Sequence, residues 1–121
     1  MSMTVLTVDD SRTMREMLRM ALVEAGFRVI QAEDGVHGLE VLANDRPDVI
    51  VTDINMPRMD GFGFIEEVRG DPAYRGVPIL VLTTESDDAK KMRARMAGAT
   101  GWIVKPFNPV KLVDAIRRVA A

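Results

Sequence analysis

The sequence predicts an α/β fold, a doubly wound five-stranded parallel sheet with five helices over its two faces. Three observations predict it. Short apolar runs alternate with amphipathic stretches along the whole chain, five of each, the signature of a parallel sheet covered on both sides. The runs Val49–Val51 and Ile79–Leu82 are apolar throughout, so they belong to strands buried on both faces rather than half-exposed ones. The amphipathic stretches are set off by capping residues and by glycine or proline stops, which punctuate helices.

The elements follow in order. Thr4–Val8 is β-rich and ends at Asp9, Asp10 and Ser11. Met14, Met17, Leu18, Ala21, Leu22 and Ala25 then recur at helical spacing, with Asp10 or Ser11 as cap and Gly26 as stop. Arg28–Ala32 is a second strand, and Asp34 and Gly35 open a helix through Val36, Leu39, Leu42 and Ala43 that closes before Pro47. The strand Asp48–Thr52 ends abruptly at Asp53, after which Asn55, Pro57, Asp60 and Gly61 form a polar, turn-rich loop. Phe62, Ile65 and Val68 mark a third helix ending near Gly70, and Pro78 leads into the strand Ile79–Leu82. A fourth helix spans Asp88–Ala97 and stops at Gly98. Trp102–Val104 is the fifth strand, ended by Lys105 and Pro106. Asn108 then Pro109 is a helix start, cap then first turn, and Leu112, Ala115, Ile116 and Val119 carry the last stripe.

At 121 residues the chain suits one domain with one core, with no repeat, linker or low-complexity segment. Hydrophobic residues at 47% and charged residues at 28% are ordinary for a globular protein and exclude a disordered chain. No apolar run approaches the roughly 20 residues of a membrane span, and the start MSMTVLTVDD lacks a basic secretion-signal region. The chain has no cysteine, which removes disulfides and thiolate metal sites and fits a reducing cytoplasm. Net charge is −2 with basic residues dispersed, so neither nucleic acid nor membrane is an expected partner.

In open parallel sheets ligands bind at the carboxyl ends of the strands. Four strands here end pointedly, at Asp9 and Asp10, at Asp53, at Thr83 and at Lys105, so residues scattered in sequence are expected at one sheet edge. Three carboxylates in one pocket call for a cation, and a hard divalent ion such as Mg²⁺ suits oxygen ligands. The single histidine, His37, lies elsewhere, on the second helix. Mg²⁺, a lysine and a threonine hydroxyl are together the parts that hold phosphoryl oxygens. A carboxylate among them can be the nucleophile and form an aspartyl phosphate. Asp53, the single carboxylate closing a core strand, is the candidate.

Each residue also has an ordinary reading. Asp9 and Asp10 suit helix caps, Thr83 a strand-end turn and Lys105 a solvated surface position. The joint placement at strand ends is what carries the specificity.

These residues resemble the receiver domain of two-component response regulators. The match runs from about Val5 to the C-terminus, through VDDS at 8–11, AEDG at 32–35, DINMPRMDG at 53–61, LTT at 82–84 and VKPF at 104–107. The resemblance implies a sheet order of 2-1-3-4-5 and a single receiver domain over residues 1–121 with no output domain. It implies that Asp53 accepts a phosphoryl group from a chemotaxis-type histidine kinase. Asp10 and Asp53 would ligate Mg²⁺ directly with the backbone carbonyl of Asn55, and Asp9 mainly through water. Lys105 would pair with the phosphoryl oxygens, and Thr83 would move to hydrogen-bond one of them. The bond between Lys105 and Pro106 is expected cis. Trp102 falls at the aromatic switch position, where Tyr or Phe is commoner; a partly buried core tryptophan is its ordinary reading. Asn55 and Glu85 take the two positions that flank the hydrolytic water, a pairing like that of quickly dephosphorylating chemotaxis receivers.

The implied output is a reshaped face of fourth helix, fifth strand and fifth helix, acting in trans as a monomer. The flagellar motor switch is the expected target, and a relay to a histidine phosphotransferase the alternative; a phosphatase is a further partner. Lys90, Lys91, Arg93 and Arg95 make the fourth helix basic, read either as a solvated face or as a dock for an acidic segment. Two other classes fit less well. A haloacid-dehalogenase-like phosphatase carries a second Asp two residues after its nucleophile, where this chain has Asn55. A flavin-binding module has a hydroxyl-rich phosphate loop where this chain has Asp9 and Asp10.

Overall fold

The computed structural model describes residues 2–121 and places strands and helices in strict alternation. They are β1 (Thr4–Val8), α1 (Arg12–Glu24), β2 (Arg28–Ala32), α2 (Gly35–Leu42), β3 (Val49–Thr52), α3 (Gly61–Gly70), β4 (Ile79–Thr83), α4 (Asp88–Ala97), β5 (Gly101–Val104) and α5 (Pro109–Ala120). The strands are parallel in the order β2-β1-β3-β4-β5, the order the resemblance implied. Among the described residues no helix is long and apolar enough to cross a membrane.

Successive strand residues face opposite sides, so each strand feeds two cores. Leu6, Val8, Ile50, Ile79 and Val81 point to one face, where they meet Leu42 of α2, Phe64, Ile65 and Val68 of α3, and Ala94 of α4. Val5, Val49, Val51, Leu80 and Leu82 point to the other, against Leu18 and Leu22 of α1 and Leu112, Val113 and Ile116 of α5. Each such aliphatic side chain contributes on the order of 1.5–3 kcal/mol by leaving water. All four residues of β3 and all five of β4 are buried, as their unbroken apolar runs predict.

Side-chain caps start every helix. Ser11, Asp34, Asp60, Asp87 and Asn108 each accept a hydrogen bond from a first-turn backbone N–H. Ser11, not Asp10, caps α1, which leaves Asp10 exposed at the sheet edge. Gly98 ends α4 with φ of 117°, a left-handed conformation that glycine adopts without steric cost.

Three boundaries differ from the sequence reading. Asp48 lies outside β3, and its carboxylate accepts the backbone N–H of Thr4 at 2.7 Å. β4 runs on to Thr83, and β5 begins at Gly101, where an added Cβ would meet Leu80 Cδ2 at 2.8 Å. A 3-10 turn at Pro72–Tyr74, capped by Asp71, is too short for hydrophobic periodicity to reveal.

Candidate functional site

Strand register assembles the site. Val8 of β1 pairs with Ala32 and with Thr52, so Asp9 and Asp53 leave neighbouring strands at one level. Thr83 pairs with Val104, which puts Lys105 one residue beyond the same edge. Backbone bonds from Asp53 N–H to the Val8 carbonyl (2.9 Å) and from Lys105 N–H to the Thr83 carbonyl (2.8 Å) extend the ladders to those residues.

Asp9, Asp10 and Asp53 each place a carboxylate oxygen within 4.8 Å of the other two. Asp9 and Asp53 are buried, at 2% and 8% exposure, and Asp10 is exposed. The Lys105 ammonium donates to Asp9 Oδ2 and to Asp53 Oδ2, at 2.8 Å each. The second oxygens are also engaged: Asp9 Oδ1 accepts Ser11 N–H at 2.9 Å and Asp53 Oδ1 accepts Ile54 N–H at 2.6 Å. Arg15 steadies the loop by donating to the Asp9 carbonyl at 2.7 Å. The peptide between Lys105 and Pro106 is cis.

Burial pushes the Asp9 carboxyl above the ordinary aspartate range, and the bonds from Lys105 and Ser11 only partly offset it. Burial also pulls Lys105 down, but its hydrogen bonds to Asp53 and Asp9 outweigh that and leave it raised. One ammonium among three carboxylates leaves the cluster negative. Oxygens ligating Mg²⁺ at about 2.1 Å lie roughly 3–4 Å apart, so these need only a slight inward movement. The all-oxygen donor set, the spacing and the residual charge fit a hard divalent cation.

A second group is built around Glu85. Its carboxylate accepts from Asn55 Nδ2 and pairs with Lys90 Nζ, at 3.0 Å each. The bond from Asn55 and the pair with Lys90 hold that carboxyl below the ordinary glutamate range. Its backbone carbonyl accepts the Trp102 indole N–H at 3.0 Å, and its N–H reaches Thr83 Oγ1 at 3.4 Å. The structure therefore gathers Asp9, Asp10, Asp53 and Lys105 into one cluster, and Asn55, Thr83, Glu85 and Trp102 into an adjoining one. Trp102 is half-buried on the face that packs α4.

The basic residues of α4 divide. Lys90 is on Glu85, and Arg93 lies over the Phe62 ring at 4.0 Å. Lys91 and Arg95 line a groove between α4 and β5 with Trp102.

One contact beside the site has no precedent in the sequence reading. Arg58 grips Asp34 with two parallel bonds, Nε to Oδ2 at 2.7 Å and Nη2 to Oδ1 at 3.0 Å. The partners are 24 residues apart and sit on different loops, so no spacing rule points to them. The AEDG and DINMPRMDG segments that contain them were the only available signal.

Comparison with known proteins agrees with this geometry. The response regulator receiver domain family model matches residues 5–117. Chemotaxis protein CheY1 of Helicobacter pylori is 40% identical over 119 residues, covering 97% of this chain and 96% of its own. The structure of the chemotaxis response regulator CheY4 of Vibrio cholerae superposes with a TM-score of 0.93 at 45% identity, over 98% of this chain and 99% of that one. The receiver domain of the sensor histidine kinase PA1611 from Pseudomonas aeruginosa was solved with a magnesium ion coordinated in its active-site cleft. It superposes with a TM-score of 0.91 at 26% identity, over 99% of this chain and 98% of that one.

Proposed function

Because the chain belongs to the response regulator receiver family, a family of phospho-accepting signalling switches rather than enzymes, we propose that it is a chemotaxis-type switch phosphorylated on Asp53. The observation that carries this is the Lys105 ammonium bridging the Asp9 and Asp53 carboxylates, with Asp10 within 4.8 Å.

Asp10, Asp53 and the backbone carbonyl of Asn55 would hold Mg²⁺, with Asp9 acting through water. The magnesium in the cleft of the PA1611 receiver supports a cation at this edge. The bound ion supplies positive charge to the phosphoryl oxygens. An Asp53 oxygen attacks phosphorus of a phosphohistidine on a CheA-like histidine kinase. The P–N bond breaks, imidazole leaves, and an acyl phosphate forms. Lys105 turns from the carboxylates to a phosphoryl oxygen, and the Thr83 hydroxyl donates to another.

The switch follows from that movement. Thr83 is bonded to the N–H of Glu85, whose carbonyl holds the Trp102 indole. Drawing Thr83 toward Asp53 displaces the β4–α4 loop and with it Trp102. Two states of the face α4-β5-α5 are then differently populated. Asn55 and Glu85, joined by a hydrogen bond, meter water to the acyl phosphate. A flagellar motor switch protein is the target we propose; the names of the CheY relatives support a chemotaxis role. Transfer onward to a histidine phosphotransferase is the competing outcome.

Intact mass after acetyl phosphate treatment tests the acceptor. Wild type gains one phosphoryl group only with Mg²⁺, and Asp53→Asn gains none while keeping its fold. Equal labelling of Asp53→Asn overturns the assignment.

A further inference from the structure

The loop from Asp53 to Asp60 carries the acceptor and Asn55, and it is tied on two sides. On the β4–α4 side the tie is Asn55 to Glu85. On the α2 side it is Arg58 to Asp34, reinforced by the Gly35 N–H on the Met59 carbonyl at 3.2 Å. The two segments also touch: a Cβ on Gly35 would meet Met59 Cγ at 2.7 Å.

Two facts about Arg58 do not follow from backbone needs. Its φ is 64°, the only positive φ at a non-glycine among the described residues, where Gly or Asn fits better. Such a conformation persists only when its surroundings over-determine it, and it gathers at functional sites. The residue types that relax this backbone lack a guanidinium, so the side chain is what the position uses. Its partner is nearly buried: the Asp34 side chain is 4% exposed, against 52% for Arg58. Asp34 Oδ1 also accepts the His37 N–H at 2.9 Å and so fixes the start of α2. The planar fork of arginine matches a carboxylate through two bonds, which lysine cannot reproduce. A rigid anchor on α2 thus sets the outer end of the loop three residues past Asn55.

We infer that Arg58, through its fork on Asp34, is a positioning residue for the cation site, setting where the loop presents the Asn55 carbonyl and side chain. This rests on the phosphorylation-switch reading of the site. Outer partners that orient metal ligands change metal affinity or activity, typically by tenfold or more.

The test is a Mg²⁺ titration of wild type, Arg58→Gly and Arg58→Lys by calorimetry, with acetyl phosphate labelling at saturating Mg²⁺ alongside. Arg58→Gly removes the fork but relieves the backbone, so a purely conformational role predicts unchanged or tighter binding. The positioning role predicts roughly tenfold weaker Mg²⁺ binding in a variant whose thermal unfolding is cooperative. Arg58→Lys falls between, and labelling at saturating Mg²⁺ changes less than affinity does. Arg58→Gly titrating like wild type overturns the inference alone. A wild type that binds no Mg²⁺ overturns the reading of the site and the inference with it.

Discussion

Lys105 holds Oδ2 of Asp9 and of Asp53, two carboxylates of the cluster on which the cation site draws. Ammonium and Mg²⁺ therefore repel across a few ångströms of partly buried space, where charges act strongly. Lys105→Ala should bind Mg²⁺ more tightly than wild type, on the order of tenfold. It should still be labelled by acetyl phosphate but fail to pass that labelling on to Trp102. A Mg²⁺ titration with fluorescence after labelling checks both parts, and weaker Mg²⁺ binding contradicts the first. The lysine also fixes a sign for pH. Its folded value is raised by its carboxylates, so its stabilisation is present at neutral pH and is lost as pH rises through that value.

At the scale of the element, the β3–α3 connection leaves less room at Gly61 than any other described glycine has. A Cβ on Gly61 would run into the Asp53 carbonyl and would meet Ile54 Cα at 2.8 Å. Both are backbone atoms that cannot swing aside. Gly61→Ala should cost about 2–3 kcal/mol, whereas Gly70→Ala at the other end of α3, with nothing within 4 Å, should stay within about 1 kcal/mol of wild type. Urea unfolding of the pair checks the contrast; equal losses contradict it. The end of β3 was legible because residue type changes within two steps, from Val51 through Thr52 to Asp53. Helix starts were legible from their caps, except that Asp10 and Ser11 were equally good candidates by residue type; the Ser11 hydroxyl is the one that accepts the Met14 N–H. The start of β5 was hidden because Gly101 has no side chain to register in an apolar pattern. The Arg58–Asp34 fork was hidden because nothing local couples two loops that only tertiary packing brings together. Two of the four basic residues on α4 proved to have partners within the chain, on Glu85 and on Phe62. A charge count cannot distinguish those from free ones.

For the molecule as a whole, the acidic edge couples cation binding to folding. Carboxylates that converge only in the folded state bind Mg²⁺ only there. At a concentration 100 times the dissociation constant, Mg²⁺ should stabilise the protein by about 2.7 kcal/mol, a melting shift of roughly 10 °C. Chelation should reverse it, and Asp10→Asn should shrink it. A melting temperature indifferent to Mg²⁺ contradicts the cation site. The division of labour across the sheet points the same way. Acid cluster and ammonium stand on strand ends whose backbone ladders and buried flanks resist displacement. α4, by contrast, has Ala94 as its one buried side chain. It is otherwise moored by Lys90 to Glu85, by Arg93 over Phe62, and by Arg69 to the Gly98 carbonyl. Water can replace most of those moorings, so re-docking this helix exposes little oil to solvent. The protein thus pairs a stiff acidic edge with a loosely tethered helix, and dissolved salt should slacken the helix well before it disturbs the edge.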